Sequence, residues 1–389
     1  MQSLANRQVD GMRSAKKEIA LTAVTVVAVL VATLWPLKLF PNNGVTWVSA
    51  SGGLEFGKAG LVVSKEAVVP PETNGSRCYS LELLLRPAGI RSSGTILSFY
   101  SPMQTRQFQV WQWRNGLVVT HDAYVESDQN QTIKFFVDYV LYPAKLVFVA
   151  ISSGRNGTIV YVDGQASQVF PRFKISSSDL SGGIVLGTSP VRYDPWNGEV
   201  RGLAIYAKEL TPEEASQHYR DWTALNRHRP VDVEAALARY TFREGIGTEI
   251  HNEVASGPTL EIPSFFSVPH KAFLQSPVQE FRPGWKYAYE VVMNVAGFIP
   301  LGLVVSSYLI WTRSHWKSIL ATAISCGLLS FAIEVTQFYI PRRGSGMTDV
   351  ITNTLGAAIG AVLSQSSLVW GLMNRIGLTP MDQLAMKEE

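Results

Sequence analysis

Seven polar residues interrupt apolar sequence near the end of the chain: Asn294, Glu334, Gln337, Arg342, Arg343, Asp349 and Asn353. Glu334 and Gln337 are three apart, and Asp349 and Asn353 four apart, so each pair shares one face of a helix. Two arginines suit a phosphate or carboxylate, which their planar guanidinium groups grip through paired hydrogen bonds. The carboxylates would orient such a ligand or accept a proton from it. The same residues also suit a structural role. Glu334 and Asp349 would then be counter-charges for the arginines, while Asn294, Gln337 and Asn353 hydrogen-bond between helices.

The elements that must position them are apolar helices. A span needs ~20 apolar residues. Uncharged runs occupy 19–37, 291–312 and 350–373, and 318–340 carries Glu334 as its single charge. The pattern therefore predicts four transmembrane helices, at about 18–40, 290–312, 318–340 and 349–373. The first run is longer than a signal peptide's and reads as an uncleaved anchor. Gly356 and Gly360 stand four apart, a spacing that lets helices approach closely. Pro300 would bend the second span and open room. Arg7, Arg13, Lys16 and Lys17 precede the first span, Arg313 and Lys317 separate the second from the third, and Arg375 and Lys387 follow the fourth. The positive-inside rule then places the termini (1–17 and 375–389) in the cytoplasm and residues 41–288 outside. In that arrangement all seven polar residues gather at the outer ends of the last three spans. An ionisable group in a membrane faces a bundle interior or a wet cavity. A proton-transport path is disfavoured, because the polar residues sit at one end.

Between the first two spans the period changes. Short runs rich in β-branched and aromatic residues, such as "YSLELLLRP" (79–87), "GTILSFY" (94–100) and "QFQVWQW" (107–113), alternate with turn residues and predict an antiparallel sandwich over 42–225. Asp163-Gly164 marks a hairpin. In "LTPEEASQHYRDWTAL" (210–225) Thr211 is an N-cap, Pro212 suits the first turn and Glu214 completes a capping box. Residues 226–288 read as edge strands and a juxtamembrane connector. Within them "VDVEAALARY" (231–240) reads as helix, while "ARYTFREGIGTEIHNEVASGPTLEIP" (238–263) reads as a strand pair added to the edge of the sandwich. Trp285, Tyr287 and Tyr289 suit the headgroup zone.

Composition agrees with a membrane protein: 46% of residues are hydrophobic and 17% charged, against about 25% charged in an ordinary soluble chain. The net charge of +3 and the lack of a long basic run argue against nucleic acid. Two cysteines make no disulfide framework, and six scattered histidines no zinc motif. Asp122, Glu126, Asp163 and Asp194 are calcium candidates, each also suited to a solvated turn. No other cofactor is expected.

Two resemblances follow. "GLEFGKAGLVVS" (53–64), "YSLELLLRP", "IVYVDGQ" (159–165) and "WNGEVRGLAIYAKELTPEEASQHY" (196–219) resemble the concanavalin A-like, laminin G-type jelly roll. That fold binds glycans or proteins in different members. The E-x-D-x-x-E strand of its hydrolases is missing, so a glucanase is not expected. "NVAGFIPLG" (294–302), "EVTQFYIPRRGSGMTD" (334–349) and "DVITNTLGAAIG" (349–360) resemble the VanZ-like family of membrane domains. The founding member is associated with teicoplanin resistance. The resemblance implies a multi-pass protein of the bacterial inner membrane with an outward lectin-like domain. Its ligand would be an envelope glycan, a lipid-linked precursor or a glycopeptide. The alternative is a membrane enzyme acting on lipid-linked precursors with Glu334 or Asp349 as general base. The lack of a nucleophile-plus-base pair, metal triad or nucleotide loop favours binding.

Overall fold

A computed structural model of the chain describes residues 2–49, 52–70, 78–90, 93–101, 108–123, 131–224, 235–255, 257–310, 314–367, 369 and 371. It divides into Phe40–Lys271 and a second unit of Met1–Leu39 with Ala272–Glu389.

The first unit is an antiparallel sandwich. Its strands are β1 (Val45–Trp47), β2 (Leu54–Phe56), β3 (Val62–Ser64), β4 (Tyr79–Pro87), β5 (Gly94–Tyr100), β6 (Phe108–Trp113), β7 (Gly116–Ala123) and β8 (Gln131–Val137). There follow β9 (Val147–Gly154), β10 (Gly157–Val162), β11 (Gln165–Phe170), β12 (Gly183–Leu186), β13 (Gly198–Tyr206), β14 (Ala236–Tyr240), β15 (Glu249–Ile250) and β16 (Leu260–Glu261). One sheet runs β1-β2-β13-β4-β9-β10-β11, with β14 also on β13; the other runs β15-β16-β3-β12-β5-β6-β7-β8. Alternate residues point inward. Leu81, Leu83 and Leu85 of one sheet and Leu97, Phe99, Phe108, Val110 and Val119 of the other fill one core. The Asp163-Gly164 hairpin has both residues at positive φ, 49° and 78°, as a tight two-residue turn requires.

The expected helix at 231–240 is not formed over its described part: Ala236–Tyr240 is strand β14, antiparallel to β13. Ala238 and Tyr240 are fully buried while Arg239 lies over the Trp222 ring, 5.1 Å from its centroid. Burial on one side of a period-two segment outweighs the helix propensity of its alanines.

Helix α1 (Gln2–Leu34) belongs to the second unit, and the short α2 (Ser177–Leu180) belongs to the sandwich. The sandwich helix α3 (Pro212–Thr223) begins as expected: Thr211 accepts from the Glu214 N–H at 3.2 Å and the Glu214 carboxylate from the Thr211 N–H at 2.8 Å. It covers the outer face of the first sheet with Ala215 and Trp222 against Phe148, Ala204 and Tyr206. Beneath it Glu82 is wholly buried. It accepts from His218 Nδ1 (2.5 Å), Trp222 Nε1 (2.8 Å) and Tyr206 Oη (3.2 Å).

The second unit is helical: α1, α4 (Pro277–Glu280), α5 (Trp285–Ile310), α6 (His315–Phe338) and α7 (Met347–Leu363). Two segments, Trp285–Leu309 and His315–Phe338, are long and apolar enough to cross a membrane; Ile19–Leu34 and Met347–Leu363 are shorter. Of the four spans expected, two correspond to helices of spanning length, and the other two fall on shorter apolar helices. Helix α7 closes at Leu363, where Ser364 Oγ donates to Ser306 Oγ at 3.1 Å, and residues 367, 369 and 371 are again helical. The first ends at Leu34 rather than residue 40, where the chain meets Pro36. Pro300 lies inside α5, which continues to Ile310. Gly302, Gly356 and Gly360 bring α5 and α7 together, since a Cβ on any of them would overlap a carbonyl oxygen of the other helix.

Candidate functional site

The loop between α6 and α7 is held by buried polar groups. Glu334, 1% exposed, accepts the Gly346 N–H on Oε2 (2.9 Å), and its backbone carbonyl accepts from Ser345 Oγ (3.1 Å). Gln337 Nε2 donates to the Thr33 carbonyl (3.0 Å), and Arg343 to that of Trp35 (2.8 Å). These bonds tie the loop to the end of α1. Asn294 Nδ2 donates to Asp349 Oδ1 at 2.7 Å, joining α5 to α7. Asn353 lies a turn deeper and donates to Ser330 Oγ at 2.9 Å.

Beside this loop is an open cavity of about 970 Å³. Asn294, Gln337, Arg342, Arg343 and Asp349 line it; Glu334 and Asn353 lie behind its wall. Arg282 and Lys286 add positive charge, Glu280 and Glu290 negative charge, and Trp285, Tyr287 and Tyr289 an aromatic side. Trp285 is 83% exposed. The site can therefore surround a polar anionic group with cationic donors while its aromatic side meets an apolar tail. Asp349 faces the cavity with its geometry set by the Asn294 amide. Glu334 is committed to the loop backbone. The two carboxylates are thus distinct in role.

Sequence reasoning missed Glu280. Its Oε2 accepts the Thr348 N–H at 2.9 Å, at the start of α7, where a negative charge is favoured by the helix dipole. Gln275 pairs with the same loop: its N–H donates to the Ser345 carbonyl (3.1 Å), and its carbonyl accepts from Met347 (2.9 Å). The signal available was the capping box Ser276-x-x-Gln279, which marks a helical turn before the second span. Also missed was a polar stripe on α6. Ser318, Thr322, Cys326, Ser330 and Glu334 recur every fourth residue and are all buried. Near its first end, Ser318 Oγ lies 3.2 Å from Ser306 Oγ.

Of the calcium candidates, Asp163 and Asp194 have described side chains, and each is bonded within the protein. Asp163 accepts the Phe148 N–H at 3.0 Å in the β10–β11 hairpin. Asp194 accepts from Thr95 Oγ1 at 2.7 Å, before β13. The Asp122 side chain and Glu126 lie outside the described residues, as do Arg313 and residues 375–389. Among the described residues no group of three metal-binding side chains occurs.

Comparison with known proteins agrees with both halves. Residues 63–216 match the concanavalin A-like lectin/glucanases superfamily, and residues 241–369 match the VanZ/LLP1 family. The chain thus joins a laminin G-type domain to a VanZ-like one. No curated protein matches it. Among solved structures, it is similar to a heptameric SAP-like pentraxin from Limulus polyphemus (15% identity, 59% of this chain, 95% of that one, TM-score 0.34). It is also similar to the botulinum neurotoxin serotype D ligand-binding domain in complex with N-acetylneuraminic acid (14%, 46% and 45%, TM-score 0.33) and to the receptor-binding domain of botulinum neurotoxin D (15%, 46% and 46%, TM-score 0.34). The chain spans just under half the length of these two neurotoxin structures. Likenesses at this level carry no argument about its ligand.

Proposed function

We propose that the chain is a multi-pass protein of the bacterial cytoplasmic membrane that binds the anionic headgroup of a lipid-linked envelope precursor in the outer cavity of its helical unit. The sandwich lies outside and binds envelope glycan; both termini are cytoplasmic. The observation that carries the reading is the grouping of Arg282, Lys286, Arg342 and Arg343 with three aromatic side chains around one cavity. Two helices long and apolar enough to cross a membrane and two shorter apolar ones support it, as do the Lys and Arg residues on the segments assigned to the inside. A phosphate gripped by arginine gains about 1.5–3 kcal/mol per charge-assisted bond, or roughly tenfold in affinity for each 1.4 kcal/mol.

The test is titration of detergent-solubilised protein with farnesyl diphosphate. Arg282→Ala and Arg342→Ala should each weaken binding about tenfold or more, with the helical unit still folded. Wild-type affinity in both variants would sink the proposal. A second reading is a membrane enzyme in which Asp349 is the general base and Glu334 holds the loop. The observation favouring it is that Asp349 lines the cavity and is oriented by Asn294.

A further inference from the structure

The outer faces of the two sheets are covered differently. Helix α3 lies on the first sheet. On the second, Phe266 and Val268 pack over Leu61 and Val185, and His270 meets Tyr100 with the rings tilted by 58° and 4.6 Å between their centres. That covers the β3-β12-β5 side. The β6-β7-β8 side has a different surface. Because Leu97, Val110, Val119 and Phe135 form an inward row, the neighbouring rows point outward. One outward row is Ser98, Gln109, Thr120 and Lys134; the other contains Trp111, Val118 and Phe136, and beyond it Trp113 pairs with Gly116. Ser98, Thr120 and Val118 are covered, so the accessible part of the face is Trp113 and Lys134, with Gln109, Trp111 and Phe136 half-buried.

The aromatic residues of these rows form a patch. Trp111 and Trp113 meet edge-on at 6.0 Å between centroids, and Trp113 is 48% exposed. The Phe136 ring lies on Gly116, where a Cβ would overlap it. Beside the patch are two polar groups without a hydrogen-bond partner, Gln109 Nε2 and Ser98 Oγ, adjacent in the β5–β6 register. Buried polar groups are nearly always paired, so two orphans side by side call for an explanation. Gln109 is itself partly exposed. Its last torsion is soft, so the amide can turn its donor toward a molecule above the face.

We infer that this face is the glycan-binding site of the sandwich. It takes a largely uncharged pyranose chain, whose apolar ring faces lie on Trp111 and Trp113 and whose hydroxyls bond Gln109. Among the described side chains of these rows Lys134 is the only charged one, which matches a ligand rich in hydroxyls and poor in charge. Aromatic side chains bury large area at low entropic cost, which makes an exposed tryptophan pair suited to this use. The inference rests on the proposal that the sandwich binds envelope glycan and adds where.

The experiment is calorimetric titration of the full chain in detergent with chitotetraose and with laminaritetraose. Wild type should bind at least one. Trp113→Ala should lose at least tenfold in affinity and Gln109→Leu about fivefold, with the sandwich's melting transition unchanged and Val169→Ala, exposed on β11 of the other sheet, binding as wild type. If both face variants bind normally, the site lies elsewhere and glycan binding by the sandwich stands. If neither tetrasaccharide binds, both the site and the glycan reading fall. A face that loses a bound peptide, but no sugar, on Trp113→Ala is a protein-docking surface, which also overturns the inference.

Discussion

Glu82→Ala is expected to destabilise the sandwich by about 4 kcal/mol. Glu82 is wholly buried and accepts three hydrogen bonds, from His218, Trp222 and Tyr206. Its removal leaves those donors unsatisfied under α3, and each orphaned buried group costs about 1–3 kcal/mol. The three losses are not additive, because the donors share one acceptor. For a unit of this size 1 kcal/mol shifts Tm by roughly 2–4 °C, so the sandwich transition should fall by about 10 °C in calorimetry of the full chain. Glu82→Gln keeps an acceptor and the side-chain shape and should cost less than half as much. A loss under 1 kcal/mol in Glu82→Ala would mean that α3 is held by its apolar contacts alone.

Gly356→Leu is expected to abolish the folded helical unit. A Cβ on Gly356 would overlap the Val295 carbonyl of α5, and Gly360 and Gly302 repeat the arrangement against Ile299 and Ala357. Helices in lipid associate by close packing rather than by the hydrophobic effect. A leucine at that contact forces α5 and α7 apart, and with them Asn294 and Asp349. Overpacking of this kind costs about 1–3 kcal/mol in a soluble core that can adjust; here the obstacle is backbone, so the loss should be at the upper end or beyond. Gly297 of α5 is the control, because nothing lies within 4 Å of its Cβ position. Gly297→Ala should be neutral or stabilising by up to about 1 kcal/mol. The measurement is the yield of monodisperse protein extracted from membranes. Equal yields for the two variants would contradict the packing described.

The sequence made these elements legible to different degrees. Thr211, Pro212 and Glu214 announced α3 because capping is local and uses near neighbours. The strands at 79–87 and 94–100 were legible from alternation and turn residues. Residues 236–240 drew two readings, a helix over 231–240 and a strand from 238, because their strand exists only through pairing with β13, thirty or more residues earlier. The break after Leu363 was not legible either: Ser364 Oγ meets Ser306 Oγ of α5 and the Ala361 carbonyl of its own helix, contacts that an apolar run does not announce. At the candidate site, the residue types and their common end of the bundle were legible, while their partners were not. Asp349 meets Asn294, and Glu334 meets a backbone N–H. Glu280 escaped notice because its contact with Thr348 spans 68 positions.

The measurement that bears most directly on the central proposal is photocrosslinking in native-like membranes. A polyprenyl phosphate carrying a photoreactive group beside the phosphate would be incubated with the full chain in nanodiscs, irradiated, and its adducts mapped by mass spectrometry. Adducts should fall within 282–294 and 337–349 and should be displaced by excess unlabelled lipid phosphate. Adducts spread evenly over lipid-facing positions of α5 and α6, without displacement, would contradict a headgroup site in the cavity.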